Sequence, residues 1–354
     1  MFRYIIRRLF QAIPTLFGIS IISFALVSAA PGDPVMKRTF DPKIKAEDRE
    51  ILRRQLGLDQ SPVIQYITWF TGVTLRIGDH VAEFSNEKSR CTYTALINMT
   101  FCDKGGGILR GDLGTSFNTR EPVWERLIQK VPATLELGIA SLILSIIVGV
   151  PLGVLAAVYR GSPFDYLVRF LSSVFQSIPI FWVGLMMILV FAVILGILPS
   201  NGRQTATLNQ EFDLLDRLRH LILPSFTLAI GGIAGFSRIM RTETLEVLHT
   251  DYIRTARAKG LAPTNVWFLH ALRNALIPLM TILGPAIVGV LSGALVTETV
   301  FGWPGMGRMT VAAVGQNDYP MVLGAGMFFA ALTIIGNLLS DIFYGIVDPR
   351  VRLG

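Results

Sequence analysis

Residues 251–274, DYIRTARAKGLAPTNVWFLHALRN, lie between two apolar segments, 221–237 and 275–296, each with the length of a bilayer span. Arg254, Arg257, Lys259 and Arg273 place the stretch on the cytoplasmic side by the positive-inside rule. Its first part predicts a short amphipathic helix: Asp251 stands where it can cap the amino end, helix formers run from Ile253 to Lys259, and Gly260 supplies a left-handed stop. Pro263 keeps that helix from continuing. Ala256 and Gly260 are one turn apart, so one edge lacks bulk and suits close contact with another surface. The basic side chains suit a groove bearing acidic groups. A solvated basic loop that only fixes topology explains the composition equally well.

Outward from this stretch the chain is apolar. Of 354 residues, 51% are hydrophobic and 16% charged, against about 25% charged in soluble domains. The net charge of +7 needs no nucleic acid, because basic residues collect in segments assigned to the cytoplasm and in one long outer loop. Six apolar runs are expected to cross the membrane: 9–30, 135–158, 170–198, 221–237, 275–296 and 321–347. Their lack of alternation excludes a barrel, so the fold class is all-α, a polytopic bundle of six helices with both termini inside. Arg3, Arg7 and Arg8 before the first run also fit a secretory signal, but the run exceeds the usual signal core, so it is taken as an uncleaved span. Pro179 is expected to kink or tilt the third.

Residues 1–30 thus form the amino end and first span, and 31–134 a large extracytoplasmic loop domain between spans 1 and 2. The core runs over 135–347 with the cytoplasmic loop at 238–274, and 348–354 is a cytoplasmic tail. Within the outer loop, residues 47–58 (EDREILRRQLGL) predict a surface helix. Cys91 and Cys102, the only cysteines, lie there too. An outward compartment permits a disulfide worth about 3 kcal/mol by the chain-entropy argument; two unlinked thiols are the alternative. No metal site is expected, since neither cysteine belongs to a CxxC or has a neighbouring histidine.

The run RTARAKG at 254–260, followed by HALRN at 270–274, resembles the cytoplasmic EAA loop of ABC importer permeases in its dipeptide and oligopeptide variant. Arg254 and Thr255 stand where the general motif has Glu and Ala, whereas Ala256 and Gly260 match it. PGDP at 31–34, GDLGTSF at 111–117 and FGWPGMG at 301–307 are similar to stretches of the same family; about 76–109 has no counterpart and is taken as an inserted lobe. The resemblance implies a coupling helix in which Asp251, Tyr252, Arg254, Thr255, Ala256, Arg257, Lys259, Gly260 and Leu261 dock into a cleft of an ATPase subunit. It further implies a non-catalytic permease subunit in a bacterial or archaeal plasma (inner) membrane. Its partners would be a second homologous permease in a heterodimer, two ATPases that bind ATP and magnesium, and an extracytoplasmic binding protein. The expected cargo is di- or oligopeptides; nickel or glutathione permeases have similar sequences.

The chain itself binds no cofactor by this reading. It has no GxxxxGK[ST] to hold ATP, and His80, His220, His249 and His270 are dispersed with no HExxH, so a membrane hydrolase finds no support. Gln176 and Asn337 are costly in lipid and are candidates for lining a pathway, with packing as the other explanation. Asp341, Glu136 and Glu298 lie near span ends, where hydration can account for them. An ion-driven secondary transporter would need a titratable pair near the membrane centre and often an internal repeat, and neither is seen.

Overall fold

The computed structural model describes residues 2–31, 46–55, 58–77, 90–94, 99–103, 105–205, 213–291 and 294–347. The chain divides into two compact units, one of residues 1–9, 130–308 and 332–354, the other of 10–129 and 309–331. Helices dominate: α1 (Phe2–Ala29), α2 (Ala46–Gln55), α3 (Pro62–Thr71), α4 (Val123–Val158), α5 (Pro163–Ser177), α6 (Ile180–Met187), α7 (Leu214–Leu248), α8 (Asp251–Ala258), α9 (Leu272–Leu291), α10 (Leu295–Val300), α11 (Met306–Gly315) and α12 (Tyr319–Val347). Among the described residues four stretches are long and apolar enough to cross a membrane, in α1, α4, α7 and α12. The α5–α6 pair, bent by 104°, adds a fifth if it counts as one span.

Several boundaries differ from expectation for local reasons. The connection between the expected spans 135–158 and 170–198 is mostly helix, because Ser162 caps α5 by accepting the Asp165 N–H and Pro163 stands at its first position. The single kinked span expected over 170–198 is instead broken. Ile178 precedes Pro179 and sits at φ −82°, ψ 131°, out of the helical region, so α5 ends there and α6 starts in a new direction. Downstream of α6 the chain continues as a π-helix over Ile188–Ile194. In α7 the helix runs past the apolar segment 221–237 to Leu248, since 238–248 is rich in Arg, Met, Leu and Glu. Between the expected spans 275–296 and 321–347 the chain holds most of α10 and all of α11.

In the first unit, α4, α7 and α9 meet around Val154, Phe236, Met240, Ala275 and Leu279. Glycines bring backbones together: a Cβ on Gly153 would lie 2.4 Å from the Ser237 carbonyl oxygen, and one on Gly149 2.9 Å from that of Ile233. Such approach is how helices pack where no apolar driving force separates them from lipid. Ser145 strengthens the contact by donating to the Ser141 and Ala229 carbonyls.

The second unit contains a three-stranded antiparallel sheet, order β1-β3-β2, of β1 (Val73–Ile77), β2 (Arg90–Thr94) and β3 (Met99–Asp103). This sheet is an addition to the loop and single surface helix expected over 31–134; α2 occupies that helix's place, ending at Gln55. Cys91 and Cys102 are register partners and are joined as a disulfide. The neutral helix α3 stacks on α1 through Phe17–Phe70, Phe24–Tyr66 and Phe24–Trp69 ring contacts and a 2.8 Å bond between the Ser20 and Tyr66 hydroxyls. GDLGTSF is tied to the segment before α12: the buried Asp318 accepts from the Ser116 hydroxyl and, at 2.9 Å, from the Phe117 N–H. Most of PGDP lies outside the described residues.

Candidate functional site

Helix α8 starts two residues after α7 ends. Thr250, not Asp251, occupies the capping position, and its side chain makes no cap bond to the helix; Asp251 falls in the first turn. Gly260 has φ +76°, a conformation that glycine adopts without strain, and Pro263 opens a new short turn that leads through a π-helix at Val266–Ala271 into α9. The stop signals therefore act where expected.

The two faces of α8 differ. Ile253 is 0% exposed and Ala256 7%, and both pack with Val266 and Ala271. This corrects the expectation for Ala256: it faces inward against its own chain, because the same helical period that clears a bulkless edge also aligns it with Ile253. Tyr252, Arg254, Thr255, Arg257, Lys259, Gly260 and Leu261 are exposed, as is Asp251. Arg254 meets Asp251 at 3.3 Å, but side-chain exposures of 74% and 96% leave that pair almost fully solvated, where it adds little to stability. Asn274 Nδ2 donates to the Tyr252 hydroxyl at 2.7 Å, joining α8 to the start of α9. What the hairpin offers outward is a net basic surface, Arg254, Arg257 and Lys259 against Asp251.

Behind it, Arg241 of α7 donates to both carboxylate oxygens of Asp165 on α5, at 2.6 and 2.9 Å, and the Gly161 N–H adds a third bond at 3.0 Å. Arg169 stands 3.4 Å from the same carboxylate. The Asp165–Arg169 spacing is local, but no local pattern in the sequence announces Arg241, 76 residues away.

At the other ends of α4 and α7 the FGWPGMG loop folds inward. Trp303 is buried and its indole N–H donates to the Ala133 carbonyl at 2.8 Å. Glu298 is 0% exposed and accepts from the Thr134 hydroxyl at 2.8 Å and the Arg308 N–H at 2.9 Å, at the amino end of α11. Hydration therefore does not explain Glu298. A Cβ on Gly305 would fall 2.2 Å from its carboxylate, so that glycine is required by space. Glu136 is paired with Arg203 at 2.8 Å and Arg217 at 2.7 Å. Asp341 pairs with Arg8 at 3.0 Å. Gln176 and Asn337 are both exposed on this chain and are not brought together with the residues of α8.

Residues 149–353 match the family described as binding-protein-dependent transport system inner membrane component. Residues 1–138 match the amino-terminal region of binding-protein-dependent transport system membrane components. The chain is 41% identical over 353 residues to the oligopeptide transport system permease protein AppB of Bacillus subtilis (strain 168), covering 99% of this chain and 100% of the relative. It is 38% identical over 371 residues to the dipeptide transport system permease protein DppB of Escherichia coli (strain K12), covering 99% of each. To the di/tripeptide transport system permease protein DppB of Pseudomonas aeruginosa (strain UCBPP-PA14) it is 38% identical over 372 residues, again covering 99% of each.

Proposed function

Because the chain belongs to the family of binding-protein-dependent transport system inner membrane components, permease subunits of ABC importers, we propose that it forms half of a pathway for di- or oligopeptides. The peptide relatives, matched over nearly their whole length, support that cargo. In this reading six spans leave both termini and the hairpin at 251–274 in the cytoplasm. A second, homologous permease completes the pathway, two ATPase subunits hold ATP and magnesium, and an external binding protein delivers peptide.

The observation that carries the coupling role is the two-faced α8. Ile253 and Ala256 anchor it from beneath, so that Asp251, Tyr252, Arg254, Thr255, Arg257, Lys259, Gly260 and Leu261 present one fixed surface to an ATPase cleft. A loop that merely solvated its charges would need no such anchor. Closure of the ATPase pair pushes this surface, the bundle opens outward to the loaded binding protein, and hydrolysis resets it. This chain performs no covalent step.

The test compares two changes at Gly260, where an added Cβ meets nothing within 4 Å of its own chain. Gly260→Asn tolerates the left-handed backbone and is expected to keep peptide uptake in reconstituted vesicles. Gly260→Trp is expected to abolish binding-protein-stimulated ATP hydrolysis and uptake together while the permease still inserts. Normal transport by the Trp variant would remove the docking assignment.

A further inference from the structure

A groove of about 470 Å³ lies between α5 and α7, lined by Arg169, Ser173, Ser237, Arg238, Arg241 and Thr242 together with apolar wall. Its charges do not balance. Arg169 and Arg241 share the single carboxylate of Asp165, which is almost fully buried, and the side chain of Arg238 has no partner among the described residues. Two positive charges therefore remain uncompensated in a concave site, which calls for an anion.

The hydroxyls narrow the choice. Ser173 donates to the Arg169 carbonyl at 3.0 Å, Thr242 to the Arg238 carbonyl at 3.1 Å, and Ser237 to the Ala234 carbonyl at 3.0 Å. Ser237 is buried and its oxygen already meets the Ser172 hydroxyl at 2.9 Å, whereas Ser173 and Thr242 are exposed and, with their protons committed to the backbone, offer their oxygens to the groove as acceptors. A fitting occupant is thus an anion that carries hydroxyl donors of its own. Apolar surface is at hand, since Phe170, next to Arg169 on α5, is exposed and Val168 lines the groove. The groove begins where the apolar run of α7 gives way to Arg238, the level at which headgroup phosphates meet a spanning helix.

We infer that this groove binds the headgroup of an anionic glycerophospholipid of the phosphatidylglycerol type. The phosphodiester sits among the three guanidiniums, the glycerol hydroxyls donate to Ser173 and Thr242, and the acyl chains lie along α5. The assignment of the cytoplasmic leaflet rests on the topology proposed above, but the binding chemistry does not.

The transporter, purified with its partner subunits in mild detergent, is titrated with dioleoylphosphatidylglycerol and, separately, with dioleoylphosphatidylcholine, and bound lipid is read by native mass spectrometry. Retention of the glycerol lipid over the choline lipid is expected. Arg238→Gln is expected to weaken it about tenfold, the loss of one charge-assisted contact, whereas Arg160→Gln, at an exposed arginine outside the groove, leaves it unchanged. Should Arg238→Gln fail to assemble, Thr242→Val decides: it should lower retention of phosphatidylglycerol but not of phosphatidic acid, which has no glycerol headgroup. Equal retention of the two titrated lipids, or an equal loss in Arg160→Gln, would overturn the proposal. So would displacement by millimolar inorganic phosphate, which would make this a free-phosphate site, or by a dipeptide, which would assign the groove to cargo carboxylate. Detergent surrounds both ends of the protein alike, so a wrong orientation of the chain would leave these outcomes as they are.

Discussion

Glu298 and Asp251 are both carboxylates in short helices beside a glycine-containing loop and an arginine, yet the first is 0% exposed and the side chain of the second 96% exposed. Around Glu298 polar groups close on one another: Thr134 and the Arg308 N–H meet the carboxylate, Met306 N–H meets Thr134 at 2.9 Å, and the Trp303 indole meets the Ala133 carbonyl. Around Asp251 only apolar groups turn inward, and the charges are left in solvent. The glycines divide the same way. Gly305 has no room for a Cβ, whereas Gly260 has ample room and is held to glycine by its φ of +76° alone. The FGWPGMG loop uses its polar chemistry to fasten itself, whereas the outward face of α8 keeps its own available for contact, the buried Asp165–Arg241 pair being made by α5 and α7 and not by α8.

Glu298→Ala should break the contrast most severely. It strands the Thr134 hydroxyl and the Arg308 N–H in a buried site, a loss of about 3 kcal/mol, read as a lower Tm of the purified permease; Glu298→Gln should recover part. An unchanged Tm in Glu298→Ala would mean that this end is not fastened as described. Next comes Ala256→Leu, which forces extra volume between α8 and Val266–Ala271 at a cost of about 2 kcal/mol. It should raise protease cleavage within 251–262 before any global change, and uniform resistance would show that α8 is not held from beneath. The smallest effect on stability belongs to Arg254→Ala, within about 0.5 kcal/mol because its ion pair is solvated. The same variant should lower stimulated ATP hydrolysis, which sharpens the comparison by separating fold from contact.

Much of the α8 end is legible from local signals. The left-handed stop at Gly260 and the break at Pro263 depend only on the residues themselves, and both act as expected. Apolar runs likewise mark α1, α4, α7 and α12. The end that holds the FGWPGMG loop is not legible, because Glu298 is explained by Thr134, 164 residues away, and no local pattern announces such a partner. The strands RCTYT and MTFCD are too short to show a period against a polar background. Ala256 misleads for a different reason: lack of bulk tells that something lies close, not whether it belongs to the same chain.

The glycines of α4 have one further consequence. With carbonyls of α7 occupying the places where side chains would stand at positions 149 and 153, the two rods touch backbone to backbone at those points, and sliding one along the other would drive these backbones together. Rearrangement of this bundle must then be taken up elsewhere, and the elbow at Ile178–Pro179, where the ladder of backbone bonds is already interrupted, is a ready hinge.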